Sequence, residues 1–511
     1  MSKLNCGNWM IKACGVFLVC ATAAAVLPAQ TPAVGLPSRI YTRLYSFRPT
    51  GGASPEAGLV QGTDGNFYGT TAFGGGGDGS FGAVFRITPS GTHTTLHSFD
   101  RTDGYEPTAP LVLGADGNFY GTTRAGGNHA CLSGCGTVFQ ITSSGVLITL
   151  YNFCSQSDCT DGFFPFAGLV QGTDGNFYGT TYNGGAKGAN GTAFKITPSG
   201  KLTTLHSFCL QGGSNCPDGF SPTAGLVQAT DGNFYGTTGG GGVNICNNDG
   251  LNYGCGTVFK ITPSGTLTTL HAFNGTDGFA PYAGVIQAND GDLYGTTFYG
   301  GTNDTCYQEC GTFYKITTTG TLTTLYSFCQ QGGIYCTDGK APEGLVQATD
   351  GKFYGATAGG GSHSGGTAFN ITSSGALTRL HDFCSLRIDY YCDDGIYPLG
   401  LIQGTDGSFY GTTLQGGQGK EAAGTTFSLF AGLGPFVETN PMSGAVGAPV
   451  NVLGTNLTGA ASVTFNGVAA KFTVISSSLI TATVPAGATS GTVQVVTPGG
   501  TLSSNVPFTV N

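Results

Sequence analysis

The chain has 511 residues, of which 90 are Gly and only 9% are charged, with a formal net charge of −9. A hydrophobic content of 39% is too high for a disordered polymer, and the length exceeds one ordinary compact core, so several domains or a repeat architecture are expected. No basic stripe is present, which excludes the electrostatic footprint of a nucleic-acid binder and argues against anionic membrane surfaces as partners.

At the N-terminus, Lys3 and Lys12 precede the apolar run ACGVFLVCATAAAVL (13–27), followed by Pro28 and Ala29. This layout predicts a secretory signal peptide over 1–29, with cleavage near Ala29. The run is shorter than the roughly 20 residues a spanning helix needs, and no later segment is apolar enough to span a bilayer. The mature chain is therefore expected to be exported, to the periplasm, the cell surface or the medium.

From residue 40 onward three phrases alternate. D-G-x-[FL]-Y-G begins at Asp64, Asp116, Asp174, Asp231, Asp290, Asp350 and Asp406. G-x-x-[FY]-x-[IL] follows each copy, from GAVFRI at 82 to GTTFSL at 424, and a third phrase, as in TLYSF or TLHSF, closes the unit. Each unit reads as four short strands: GLVQ, then FYGTT after the turn TDGN, then VFKIT after a longer loop, then TLTTLYSF after the turn PSG. Asp-Gly favours a tight hairpin because Gly accepts positive φ, and Pro-Ser-Gly is equally strong turn chemistry. Seven four-stranded units predict an all-β, seven-bladed β-propeller over 38–432. A spare fourth strand, RLYSF (43–47), precedes the first unit and the last unit lacks one, so the N-terminal strand is expected to complete the seventh blade and leave no open sheet edge.

GLVQGTDGNFYGTT and GTVFKITPSGTLTTLYSF resemble the Gloeo_Verruco tandem repeat of exported bacterial proteins with varied C-terminal anchors. The resemblance covers 40–430. It implies export and a surface-associated life, and no catalytic residue comes with it. At a coarser level the strand layout is similar to NHL-type propellers, which is fold analogy and says little about function.

After Leu433 the repeats cease. Alternating runs such as VNVLG (450–454), SVTFNG (462–467) and TVQVVTP (492–498) predict a small β-sandwich over 434–511. NPMSGAVGAPVNVLGTNL, VTFNGVAA and ITATVP resemble an IPT/TIG domain, an immunoglobulin-like module. Such a module is expected to act as a spacer, or to carry a contact surface of its own.

Seventeen cysteines are present. Three fall in the leader. The other fourteen are sequence neighbours, and an even count in an exported chain predicts disulfides: Cys131 with Cys135, Cys154 with Cys159, Cys209 with Cys216, Cys246 with Cys255, Cys306 with Cys310, Cys329 with Cys336 and Cys384 with Cys392. A zinc site from Cys131, Cys135 and His129 is the alternative, but a structural zinc wants four ligands. All seven pairs lie in the connections from second to third strand or from fourth to next first strand. In an up-and-down blade these emerge on one face, and the opposite face holds only the TDGN and PSG turns. Because binding residues concentrate on loops held by a rigid scaffold, the long-loop face with its channel mouth is the predicted site.

Asp-Gly stands before six first strands, at Asp103, Asp161, Asp218, Asp277, Asp338 and Asp394. These carboxylates, expected around the channel mouth, are candidates for a cationic ligand or Ca²⁺, a hard cation that takes oxygen ligands. The alternative is that each simply makes a good turn. No other cofactor and no transition-metal site is expected. His97, His206, His271 and His381 share one fourth-strand slot with Tyr151 and Tyr326, which points to packing. No nucleophile elbow, H-E-x-x-H or phosphate loop is present, and the only Trp, Trp9, lies in the leader. The sequence thus predicts a secreted or cell-surface binding or scaffold protein for a glycan or protein ligand. A carbohydrate-active lyase or hydrolase using one-off loop acids such as Glu106, Asp304 and Asp389 is the alternative.

Overall fold

The computed structural model describes residues 40–511, apart from 77–80, 128–130, 189, 211–215, 249–250, 303–309, 333–335 and 389–390. The leader, His129, Asp304, Cys306 and Asp389 lie outside the described residues.

Seven four-stranded antiparallel sheets follow one another as blades. Blade 1 runs Val60–Gln61, Phe67–Thr71, Ala83–Ile87 and His93–Ser98. The first strands of blades 2 to 7 begin at Val112, Val170, Val227, Ile286, Lys340 and Ile396. The strand Tyr41–Ser46 pairs antiparallel with Thr425–Leu429 and supplies the fourth strand of blade 7. The first strands of blades 1 and 2, 5 and 6, and 6 and 7 lie against one another, so the first strands line the channel and the fourth strands face outward.

The repeated phrase D-G-N-F-Y is a joint. Asp64 accepts from the Asn66 amide at 3.1 Å and from the Tyr68 hydroxyl at 2.9 Å, fixing both the hairpin and the tyrosine. Tyr68 then stacks on Phe119 of blade 2, with centroids 4.1 Å apart. The stack recurs as Tyr120–Phe177, Tyr178–Phe234 and Tyr354–Phe409, Tyr294–Phe353 makes a tilted version of it at 4.3 Å, and Tyr410–Phe67 joins blade 7 to blade 1 at 3.9 Å. Each such pair is worth about 0.5–1.5 kcal/mol beyond its buried area.

A second joint explains the Gly that opens G-x-x-F. A Cβ on Gly424 would come within 2.5 Å of Pro55 Cδ in blade 1, and the same Gly in the other blades meets the next blade's proline as closely. A third is polar: the first Thr of FYGTT donates to a carbonyl of the next blade, as Thr122 does to Ala167 at 3.0 Å and Thr412 to Ala57 at 2.8 Å. The last bond, with Tyr410–Phe67 and Gly424–Pro55, closes the ring independently of the N-terminal strand.

Two blades depart from the expected pattern. The first strand is two residues long in blades 1 to 5 but eight in blades 6 and 7, Lys340–Gln347 and Ile396–Gln403. From Gly339 to Gln347, or from Gly395 to Gln403, the chain is one residue shorter than from Gly278 to Gln287 in blade 5. Pairing therefore continues through a bulge at Pro342/Leu345 or Pro398/Leu401, where the other blades make only an isolated bridge such as Phe279↔Tyr299.

The C-terminal domain is a sandwich of two four-stranded sheets, with Val450, Val452, Phe465, Ile480, Val493 and Val495 in its core. It is docked on the propeller, not strung out as a spacer. Six first strands end in Gln, and each Gln side chain accepts from the preceding blade's turn, as Gln171 does from the Ala115 amide at 2.9 Å and Gln61 from that of Thr405 at 2.9 Å. In blade 2 the Gln is replaced by Leu113, which has no acceptor. There Leu453 of the sandwich joins the buried cluster of Leu113, Tyr68 and Phe119, and Asn440 donates to the Leu113 carbonyl at 3.0 Å. Ser478 donates to the Thr63 carbonyl, Thr455 meets Thr405, and Asn505 donates to the Gln347 carbonyl. The sandwich therefore covers the short-turn face from blade 6 through blade 7 and blade 1 to blade 2.

Candidate functional site

With the sandwich seated on the short turns of blades 6, 7, 1 and 2, the long-loop face is the side it leaves free. Cys131–Cys135, Cys154–Cys159, Cys209–Cys216, Cys246–Cys255, Cys329–Cys336 and Cys384–Cys392 are bonded, all on loops of that face. Cys310 is also disulfide-bonded. The Sγ atoms of Cys131, Cys135 and Cys154 lie within 4.8 Å of one another, which brings two disulfides together.

The six Asp-Gly carboxylates sit elsewhere than expected. Each is held at the outermost strand of the blade before it, away from the channel. His97, His206, His271 and His381 meet Asp103, Asp218, Asp277 and Asp394 at 2.6–3.1 Å. Tyr151 and Tyr326 donate to Asp161 and Asp338 at 2.7 Å. Loop amides add further bonds, such as Ser155 to Asp161 at 3.0 Å and Gln330 to Asp338 at 3.0 Å. Asp161, Asp338 and Asp394 are fully buried. Burial works to raise the Asp394 pKa, but bonds from His381, Ser385 and the Leu386 amide outweigh it and hold the group below the ordinary aspartate value. The shared slot of His and Tyr is therefore a hydrogen-bond donor to this aspartate. Where the loop lacks a disulfide an Asx turn replaces it: Asp100 accepts from the Thr102 amide and Asn274 from that of Thr276.

The channel mouth is built by other residues. Each blade's lead-in carries a proline, and the residue before it has positive φ in all seven: Ser54, Glu106, Phe164, Ser221, Ala280, Ala341 and Tyr397, between 51° and 57°. That region is costly for side chains of this kind. Hydrogen bonds on both sides hold it. Glu106 N donates to Phe81 O of blade 1 at 3.2 Å while its carbonyl accepts from the Arg124 amide at 2.9 Å, and Phe164 repeats the arrangement with Cys135 and Tyr182. The rim is thereby rigid in backbone but free to vary in side chain. After the proline stand Glu56, Thr108, Phe166, Thr223, Tyr282, Glu343 and Leu399.

From blade 1 to blade 5 these positions form a connected arc. Arg124 bonds Glu106 at 2.6 Å and lies 4.8 Å over the Phe166 ring. Burial, then the neighbouring Glu106, pushes the Glu56 carboxyl up, with Arg124 opposing. Phe166 packs edge-on to Tyr182 at 5.1 Å. Tyr282 of blade 5 reaches back over blade 4, where a Cβ on Gly239 would lie 3.1 Å from its ring, and its pKa is raised by burial and then by Tyr299 and Tyr182. On blade 6, burial raises Glu343 to about 7. Of these residues sequence reasoning singled out only Glu106. The signal that could have found the others is the one slot, after the proline, where seven near-identical units disagree.

A closed seven-bladed ring, with an immunoglobulin-like domain over four blades of its short-turn side and stapled loops on the other, defines a two-faced β-propeller. The chain belongs to the Gloeobacter/Verrucomicrobia repeat family, which matches residues 34–248 and 244–471, and an IPT/TIG domain matches 436–510. No curated protein matches the sequence. Among solved structures, a fungal alcohol oxidase of the AA5 family in complex with copper is similar at a TM-score of 0.51 and 13% identity, covering 93% of this chain and 100% of the oxidase. Virginiamycin B lyase from Staphylococcus aureus has a TM-score of 0.47 and 13% identity, over 76% of this chain and 99% of its own. The extracellular domain of a putative one component system from B. thetaiotaomicron has a TM-score of 0.43 and 13% identity, over 92% and 58%. At such identity the likeness shows the fold alone.

Proposed function

We propose that this is an exported binding or scaffold protein that presents the long-loop face of its propeller to an extracellular glycan or protein. The observation that carries this reading is the distribution of exposed apolar side chains. Nine of the propeller's exposed large apolar side chains, Phe73, Leu132, Leu210, Val243, Ile245, Tyr282, Leu386, Tyr391 and Tyr397, lie on that face, against Val146 in a short turn, Ile148 on an outer strand and Ile40 before the N-terminal strand, and the sandwich occupies the short turns of blades 6, 7, 1 and 2. Such patches mark interaction sites. The disulfides fit an oxidising, extracytoplasmic setting, and among the described residues no helix is long and apolar enough to cross a membrane.

A second reading, a carbohydrate-active enzyme, draws on the neighbouring carboxyls of Glu56 and Glu106. The test is a screen of the full chain against glycan and peptide arrays, with and without Ca²⁺, followed by product analysis of each hit. Binding that Leu132→Ser, Ile245→Ser and Leu386→Ser together leave untouched, and that Ile475→Ser and Val506→Ser in the sandwich abolish, would refute the loop-face reading. Shortened glycan products would favour the enzyme.

A further inference from the structure

The rim arc has a definite chemistry, and resting on the loop-face reading it narrows the ligand. Four features combine. Tyr182 and Tyr282 are partly exposed, and Phe166 packs edge-on to Tyr182 beneath the Arg124 guanidinium. Glu106 and Arg124 hold each other in a fixed fork beside them, and Glu56 stands next to that pair without a guanidinium of its own. The backbone beneath is locked by inter-blade hydrogen bonds. Finally, the exposed aliphatic residues Leu132, Val243, Ile245 and Leu386 belong to the outer loops, so the arc itself is aromatic and polar.

We infer that the arc over blades 1 to 5 is a subsite for a glycan free of acidic groups, its sugar faces lying on Tyr182 and Tyr282 and its hydroxyl or amino groups meeting Glu56, Glu106 and Arg124. Aromatic faces present apolar area at little conformational cost. Carboxylate and guanidinium groups match vicinal hydroxyls in pairs. A preformed rim keeps the ordering cost of a weakly binding sugar small. Charge sets the class: Glu56 and Glu106 stand against Arg124, which is already paired with Glu106, while the Arg101 guanidinium is held over the Phe81 and Tyr105 rings. A uronate or sulfate would meet net negative charge. A neutral sugar meets none, and an amino sugar gains Glu56 as its partner. Tyr takes the stacking role, since the mature propeller contains no Trp.

The test is calorimetric titration of the full chain with three probes of equal length: a glucosamine tetramer, a glucose tetramer and a galacturonate tetramer. The expected order is glucosamine, then glucose, with galacturonate at least tenfold weaker than either. Glu56→Gln should cut the glucosamine preference by about tenfold and spare glucose, and Tyr282→Ala should weaken both at least tenfold. Hydrogen-exchange footprinting of the glucosamine complex should protect the lead-ins around Glu56, Glu106 and Tyr282. Galacturonate binding as tight as glucose, or indifference to both substitutions, overturns the inference. Protection elsewhere on the loop face overturns it and leaves the loop-face reading standing, and protection on the sandwich alone overturns both. If none of the three probes binds, the inference falls, and a peptide hit mapped to the loop face would still support the broader reading.

Discussion

His93 should make docking of the N-terminal strand onto the ring sensitive to acid. It opens the fourth strand of blade 1, in a slot held by Leu147, Leu202, Leu267, Leu322 and Leu377 in the next five blades. Its imidazole lies flat on Tyr45 of the N-terminal strand, with centroids 4.2 Å apart and planes at 4°, and it touches the rings of Phe47 and Phe85. Nε2 is buried without a hydrogen-bond partner, and burial lowers the pKa from 6.5 to about 4. The folded protein thus resists a proton that the unfolded chain accepts. The neutral ring's contribution is complete above about pH 6.5 and is lost as pH falls towards 4. Each pH unit across the gap is worth about 1.4 kcal/mol, so the whole gap is worth about 3 kcal/mol. The measurement is hydrogen exchange of the Thr42–Ser46 amides between pH 7.5 and 4.5, with results corrected for the intrinsic pH dependence of exchange, in the native chain and in His93→Leu. Protection of the native strand should fall steeply below pH 6.5, while the variant, with the residue of the other blades, should stay nearly flat. Parallel profiles for the two proteins would refute the reasoning.

Three further outcomes are expected. Asp161→Ala removes the acceptor of the Tyr151 hydroxyl and of the Ser155 amide; with hydrogen bonds to a charged group worth about 1.5–3 kcal/mol each, it should lower the thermal midpoint clearly more than Asp103→Ala at the partly exposed equivalent, and an equal effect in calorimetry would contradict the structural role. Glu343→Gln should raise stability at pH 8 and lose most of that advantage by pH 5, because burial lifts this carboxyl from 4.5 to about 7, so the penalty for ionising it builds as pH rises between those values and is full above them; denaturant titrations at the two pH values decide it. Leu113→Gln restores the residue found at this position in the other blades but places a polar amide under Leu453, at a cost of about 1–3 kcal/mol. It should speed proteolysis of the connection near Gly434 without moving the propeller's own transition, and unchanged cleavage would count against the docking interface.

Much of the ring was legible in the sequence because its joints are local phrases. Asp64, Gly65 and Tyr68 fall within five residues, and the same letters perform the same duty in the other blades. The displaced strand at Tyr41–Ser46 was legible because one phrase occurred before its first unit and was missing after its last. The duty of Asp161 or Asp394 was not, because a turn, a ligand and a strand anchor all use Asp-Gly, and only the fold shows the Tyr or His facing it. The rim arc was hidden because its members come from different blades and join through space: Tyr282 of blade 5 extends over blade 4 where that blade carries Gly239. The seat of the sandwich hangs on a single letter, Leu113, whose meaning appears only beside the Gln it replaces.

Leu113 also settles a question of phase. Seven near-identical units would offer a C-terminal module seven equivalent seats, and the short tether after blade 7 alone would leave neighbouring ones in competition. One missing acceptor makes a single seat the best. Once the module is seated, every loop of the ring has a fixed bearing relative to it, so an array made of copies acquires a front, a back and a compass direction.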